Sequence, residues 1–227
     1  MKTVIKILLV ISIAFLSYFC VMSILTPIQF DEQKELREKA VIQKLIDLRK
    51  AEVEKKKKNG DYTASIDTLV MFLKASKKKT VIKEGSLSDK QLESGLTEKS
   101  ASLIVRKGNK KEIEAAGLQN FRRDTAYVNM IEALYGEKYT KDNIDQIGII
   151  PYSNNEKFEL KINKNYWNAS NVRIPLFQAK AHYKTYLYDL NRQEMLNKID
   201  MQKKLDKYPG LQVGNADEPN NNAGNWE

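Results

Sequence analysis

Few side chains in this sequence are able to do covalent chemistry, and that scarcity limits the reactions open to it. His182 is the single histidine among 227 residues, and Cys20 is the single cysteine. One histidine cannot build a multi-histidine metal site. Cys20 lies inside an apolar run, so the rest of the chain has no thiol for a disulfide framework, a zinc–thiolate centre or a cysteine nucleophile. His182 reads as a strand-end residue. Glu137, Asp142 and Asp145 lie close together, but Ile144 and a missing loop glycine break the calcium-loop pattern, so these acids read as caps and solvated charges. Asp217 and Glu218, with the asparagines around them, offer enough oxygen for a calcium ion. The preferred expectation for that stretch is a flexible acidic tail without a cofactor. Trp226 beside it predicts a packing contact, since a terminal indole is seldom left in water. No Gly-rich phosphate loop and no nucleophile elbow occurs. An enzyme would have to work with carboxylates and tyrosines alone, and no spacing singles out a pair. The expectation is a non-enzymatic protein.

The elements that must position these residues begin with Ile7 to Leu25, nineteen consecutive residues without a charge. A helix of that length crosses a hydrocarbon core of ~30 Å. Lys2 and Lys6 precede it, and no A-x-A-like cleavage site follows, with Ser23 the nearest approximation, so the segment predicts an uncleaved signal anchor. The expected layout is a cytoplasmic tail over 1–6, a transmembrane anchor over 7–25, a stalk helix over 26–60, a periplasmic head over 61–214 and an Asn-rich tail over 215–227. A six-residue tail is most easily left in the cytoplasm, which places the protein in the inner membrane with its head in the periplasm. A head without thiols suits an oxidising compartment.

Beyond Phe30 the sequence reads as one amphipathic helix. Leu36, Val41, Leu45 and Leu48 form its apolar stripe, and Ile42, Ile46 and Val53 lie beside it. That stripe predicts either a seam with neighbouring helices or the face on which the protein's own head packs. Asn59-Gly60 stops the helix. Span and stalk together predict about 55 residues of helix, roughly 80 Å. Six of the nine net positive charges fall between Lys50 and Lys83. Lys55, Lys56, Lys57, Lys58, Lys77, Lys78 and Lys79 make this a basic patch that predicts solvated lysines or contact with anionic lipid or an acidic partner. An exported domain argues against nucleic acid.

The head reads as α+β. Ser65 or Thr63 caps a helix through Ile66, Leu69 and Leu73, and Thr80 to Lys83 is a short strand. Ser88 caps one further helix and Gly117 closes another over 111–116. Strand-like segments follow at 125–130, 147–152, 157–162 and 172–181, with Asn154-Asn155 as a turn and Pro175 marking an edge or a bulge. Tyr183 to Ile199 predicts one long amphipathic helix, ended by Pro209-Gly210, and Leu211 to Val213 returns as a strand.

Short basic start, apolar helix, amphipathic continuation and Asn59-Gly60-Asp61-Tyr62-Thr63 together resemble the type IV pilins and pseudopilins, whose heads often begin with an Asn-Gly-x-Tyr-Pro turn. The resemblance covers about the first 75 residues. It implies a long helix that carries a small sheet domain and packs beside its neighbours. The family's cut between a Gly and a following Phe or Met, and the acid near the start of its apolar run, have no counterpart here. The ending from Glu218 to Glu227 resembles envelope proteins of the Bacteroidetes type, for which Asp67-Thr68-Leu69 and Asp124-Thr125-Ala126 are similar to O-glycosylation acceptors. Asn168-Ala169-Ser170 matches the N-glycosylation pattern. The sequence thus predicts a single-pass structural subunit of an envelope, secretion or pilus-like assembly. It would associate with itself or with other anchored subunits through the N-terminal helix. The alternative is a monomeric tethered module that binds an anionic partner through the lysines and exposed aromatics such as Tyr166 and Trp167.

Overall fold

The computed structural model describes the chain from Lys2 to Glu227, and the side chains at these positions except 2, 81–83, 124 and 125. Met1 of the expected 1–6 tail, and the side chains of Asp124 and Thr125 of one acceptor motif, lie outside that description. The elements in order are α1 (Lys2–Asn59), α2 (Ile66–Ala75), β1 (Lys77–Glu84), α3 (Asp89–Glu93), α4 (Glu98–Lys107), α5 (Lys110–Ala115), β2 (Arg122–Asn129), α6 (Met130–Tyr135), β3 (Glu159–Trp167), β4 (Arg173–His182), α7 (Tyr183–Tyr186), α8 (Arg192–Lys204) and β5 (Gly210–Gly214), with 3-10 turns at Gly136–Lys138 and Ile144–Gly148. The class is α+β: a long N-terminal helix followed by small antiparallel sheets and helices. The chain forms two compact units, Met1–Leu73 with Thr140–Glu227, and Lys74–Tyr139.

In the first unit, α1 runs unbroken through Pro27, which removes one helical N–H bond without ending the helix. It stops where Gly60 takes a left-handed φ of 84° and donates its N–H to the Lys56 carbonyl at 2.8 Å. From Val4 to Leu25 its large apolar side chains are exposed, and no residue of its most apolar window is buried within the protein. This is one helix long and apolar enough to span a membrane.

The second half of α1 is core. Val41, Leu45 and Leu48 are fully buried, and α1 packs on β5, β4 and the 3-10 turn at Ile144–Gly148. The expected stripe needs a correction at Leu36, which is 51% exposed. The buried phase passes instead through Phe30 and Arg37, then continues through Glu52 to Lys55. Spacings of three and four residues keep all of these on one face. A free seam for neighbouring helices is therefore not what Val41, Leu45 and Leu48 provide, because the protein's own head covers them.

The head sheet runs β3-β4-β5, antiparallel throughout, with Ile162 opposite Phe177 and Ala179 opposite Val213. β4 is central, yet β5 pairs only from Gln178 onward, so Pro175 sits where β4 is still an edge and where the β3 register slips between Asn163 and Tyr166. This places Pro175 where its missing N–H costs no ladder bond on the open side. Two expectations fail. The segment 147–152 is no strand: Ile144–Gly148 coils into a 3-10 turn and leaves only an isolated bridge between Ile149 and Lys157. Gly148 fits there because a side chain would meet Ile66 Cγ2 at 2.2 Å. The long helix from Tyr183 breaks into α7 and α8 at residues 187–191, where Leu187 is buried and Asn191 caps α8 by accepting the Gln193 and Glu194 N–H groups.

In the second unit β1 and β2 pair antiparallel from Lys77 opposite Asn129 to Glu84 opposite Arg122. Ala101, Leu118 and Phe121 form its core with Ile104 and Ile113 around them. Ser88 starts α3 with its N–H donating to Gln91 Oε1 at 2.8 Å, and Thr97 starts α4 by accepting from the Ser100 N–H.

Candidate functional site

The first unit contains a polar cleft of about 470 Å³. α1 supplies Lys34 and Glu38, α7 supplies Tyr183, the end of α8 supplies Gln202, and the return into β5 supplies Tyr208 and Gln212, with Asn225 closing one side. Lys34 Nζ binds Glu38 Oε2 at 2.8 Å and lies 5.6 Å from the Tyr183 ring centre. Tyr183 meets Tyr186 edge-on at 5.9 Å, and Tyr208 meets His182 in the same way at 5.9 Å. Burial, then the Glu38 carboxylate, pushes the Tyr183 hydroxyl up to about 12; burial, then the Glu159 charge, does the same for Tyr208. Both stay neutral donors over the physiological range. Burial likewise drives the Tyr186 hydroxyl upward. Asn225 lines the cleft with its amide already engaged. Its amide completes the β5 edge, accepting from the Gln212 N–H at 3.0 Å and donating to the Gly210 carbonyl at 2.9 Å.

His182 ends β4 as its place in the sequence predicted. Its Nδ1 accepts the Lys184 N–H at 3.0 Å and so caps α7, and burial lowers its affinity for a proton. The cleft therefore offers tyrosine hydroxyls, amides, the Lys34–Glu38 pair and the charged Asp206 and Lys207: groups that hydrogen-bond a polar ligand.

A second constellation holds α1 in the head. Arg37, 8% exposed, donates through Nη1 to the Tyr186 carbonyl at 2.8 Å and through Nη2 to Asp189 Oδ2 at 2.8 Å, with its guanidinium 5.0 Å from the Tyr152 ring centre. The Arg37 guanidinium holds the Asp189 carboxyl below its usual range. Further along, Glu52 is completely buried. Its Oε2 accepts the Thr63 N–H at 3.0 Å, and its Oε1 has no hydrogen-bond partner among the described residues. Burial pushes this carboxyl up to about 7, against the opposing pull of the Thr63 N–H and the Lys55 ammonium. The turn it holds is the Asn-Gly-Asp-Tyr-Thr segment. Tyr62 is buried there, 4.9 Å from the Phe177 ring, and Asn222 Nδ2 donates to its hydroxyl at 3.2 Å.

The tail contradicts the expectation of a loose acidic segment. Ala216 is fully buried, Gly224 bridges to Val213, and Arg49 holds Glu227 at 2.6 Å and the Asn222 carbonyl at 3.1 Å. Asp217 pairs with Lys161 at 2.9 Å, Glu218 is exposed, and no group of three His, Cys, Asp or Glu residues among the described ones is arranged for a metal ion. Lys161 thus already engages one of the two calcium candidates. Trp226, half-buried, lies flat over Gly224, where a Cβ would fall 2.4 Å from the indole. Gly224→Val is accordingly expected to displace that indole. In a Trp167→Phe background the emission of Trp226 should shift to the red, with a stability loss of about 1 kcal/mol, typical of a displaced contact.

The lysines of the expected basic patch are divided between the two units. Lys55 is buried, Lys56 covers the Tyr62 ring at 4.9 Å, Lys57 pairs with Glu54 at 2.9 Å, and Lys58 lies 5.8 Å from the Phe72 ring centre. Lys77, Lys78 and Lys79 belong to β1 of the other unit, where Lys77 and Lys79 are exposed and Lys78 is half-buried. Sequence reasoning missed Arg37, Glu52, Tyr183 and Tyr208. For the first two the signal was present: both continue the helical phase of Val41, Leu45 and Leu48. For the tyrosines no periodicity points to a shared cleft, because β5 brings Tyr208 to α7 from a distance in sequence. Comparison with known proteins finds no family that matches the chain, no curated protein similar to it and no solved structure that matches it.

Proposed function

We propose that this protein is a non-enzymatic, single-pass structural subunit of an envelope assembly of the pilin-like kind. Its anchor would stand in the inner membrane, its head in the periplasm, and its neighbours would pack against the exposed N-terminal half of α1. The observation that carries this reading is the division of labour along one uninterrupted helix. From Phe30 onward one face of α1 is buried in its own head, whereas the large apolar side chains from Val4 to Leu25 are exposed. Helices in lipid associate through close side-chain packing. Ser12, Ala14 and Ser17 supply small positions in this segment, and Cys20 lies exposed among them. The missing acid near the start of the run means that such packing would rest on shape and not on a buried charge.

Cys20 makes the test direct. Oxidative cross-linking of the full-length protein in its native membranes should give a disulfide-linked dimer, and chemical cross-linking with mass spectrometry should join the 4–25 segment to other copies or to other single-pass proteins. A protein recovered only as a monomer with its N-terminus cut near Ser23 would overturn the reading. The polar cleft at Tyr183 and Tyr208 favours a second reading, a tethered module that holds a polar ligand. In that case Gln212→Ala would weaken ligand capture and leave the Cys20 cross-link intact.

A further inference from the structure

We infer that the head of the first unit sits directly on the bilayer surface, with one flank of α8 immersed in the headgroup layer; this rests on the membrane-anchor reading above. Only five positions along the helix lead from Leu25, the end of the expected span, to Phe30, which is 3% exposed and therefore already inside the head. Five helical residues rise about 7.5 Å. The polar layer on each side of a bilayer is roughly 5–8 Å thick, the difference between the full thickness and its hydrocarbon core. No length of bare helix remains to lift the head clear of the lipid.

The element at that level is α8. Lys198 Nζ binds Asp31 at 2.8 Å, which fixes this helix beside the first turn of α1 past Phe30. Met195 and Ile199 point into the core and are buried. Met201 and Leu205, three and seven residues beyond Lys198, lie on its flank of the helix and not on the core face. They are 50% and 56% exposed, and the core makes no use of them. Lys203, Lys204 and Lys207 surround them, and although Asp200 and Asp206 offset part of this charge the segment 198–207 stays net positive. Exposed apolar side chains ringed by lysines are the composition of a helix lying at a membrane interface: the apolar groups enter the acyl boundary and the ammonium groups reach anionic headgroups.

The native cysteine supplies an internal control. Full-length protein is incorporated into nanodiscs of mixed phosphatidylcholine and phosphatidylglycerol. A nitroxide is attached at Cys20 in the unaltered chain. In a Cys20→Ser background it is attached instead at Met201→Cys, Leu205→Cys or Asn165→Cys. Asn165 is exposed on β3, whose neighbour β4 reaches Lys56 of α1 through the Pro175 carbonyl, far from the span. Collision with oxygen and with a water-soluble nickel chelate reports depth. The expected result is Cys20 in the hydrocarbon, 201 and 205 shielded from nickel at headgroup depth, and 165 fully open to it. If Cys20 is deep while 201 and 205 are as open as 165, the seated head is overturned and the anchor stands. If Cys20 itself is open to nickel, anchor and seated head fall together.

Discussion

Leu45→Ala should destabilise the protein by about 2–5 kcal/mol, the cost of emptying a fully enclosed leucine site. Leu45 is 0% exposed, and the head on α1 leaves no route by which solvent could fill the space. The same truncation at Leu36, which is 51% exposed, should change stability by no more than about 0.5 kcal/mol. Urea denaturation of the full-length protein in detergent, followed by tryptophan fluorescence, measures both. The contrast decides what the apolar stripe is for. A seam between copies would make Leu36 and Leu45 comparable and their effects dependent on protein concentration. A core makes Leu45 dominant at every concentration. Equal small effects would remove α1 from the core.

Glu52 should make stability depend on pH in an unusual direction. Its carboxyl rises from an ordinary value of 4.5 to about 7 in the fold, so the folded protein holds the proton more tightly than the unfolded chain does. The resulting stabilisation is fully present below about pH 4.5 and is lost as pH rises to about 7, a change of roughly 3 kcal/mol for a shift of this size. Above that the buried carboxylate stands charged, with Oε1 unsatisfied. Glu52→Gln keeps an acceptor for the Thr63 N–H and removes the charge. It should flatten the pH dependence between 5 and 7 and make the variant more stable than the parent at pH 8. Glu52→Ala, which strips the Thr63 N–H of its partner, should be less stable than Glu52→Gln at all pH values. Parallel titration curves for parent and Glu52→Gln would show that this carboxyl titrates normally.

What the sequence revealed, and what it hid, follows from the range of the interactions concerned. The long apolar helix, the Gly60 stop, the Ser65 and Ser88 caps and the placing of Pro175 depend on residues within one or two turns, and their signals are local. Leu36 was misplaced because hydrophobicity was taken as the mark of burial. The helical phase in fact continues through Arg37 and Glu52, charged residues that burial tolerates because Asp189, the Tyr186 carbonyl and the Thr63 N–H meet them. The break at 187–191 was hidden for the same reason: Asp189 leaves the helical path for a partner 152 positions away. The asparagine-rich ending read as loose because its composition resembles linkers. It is ordered by Arg49 and Tyr62, neither of which its own sequence can announce.

The path of α1 through the first unit also sets the order in which the protein can be made. The helix that forms the middle of the head emerges first, but the strand it packs on most, β5, lies some 150 residues downstream, and Arg49 closes on Glu227 across 178 positions. Contacts of such separation form late and slowly, since the intervening chain must be closed into a loop before they are rewarded. While synthesis proceeds, Val41, Leu45 and Leu48 have no cover of their own. The segment from Lys74 to Tyr139 forms its own compact unit and can acquire its core before β3 to β5 exist. The first unit therefore closes only when its distal strands arrive, and until then the apolar face of α1 waits for a core that its own end of the chain cannot supply.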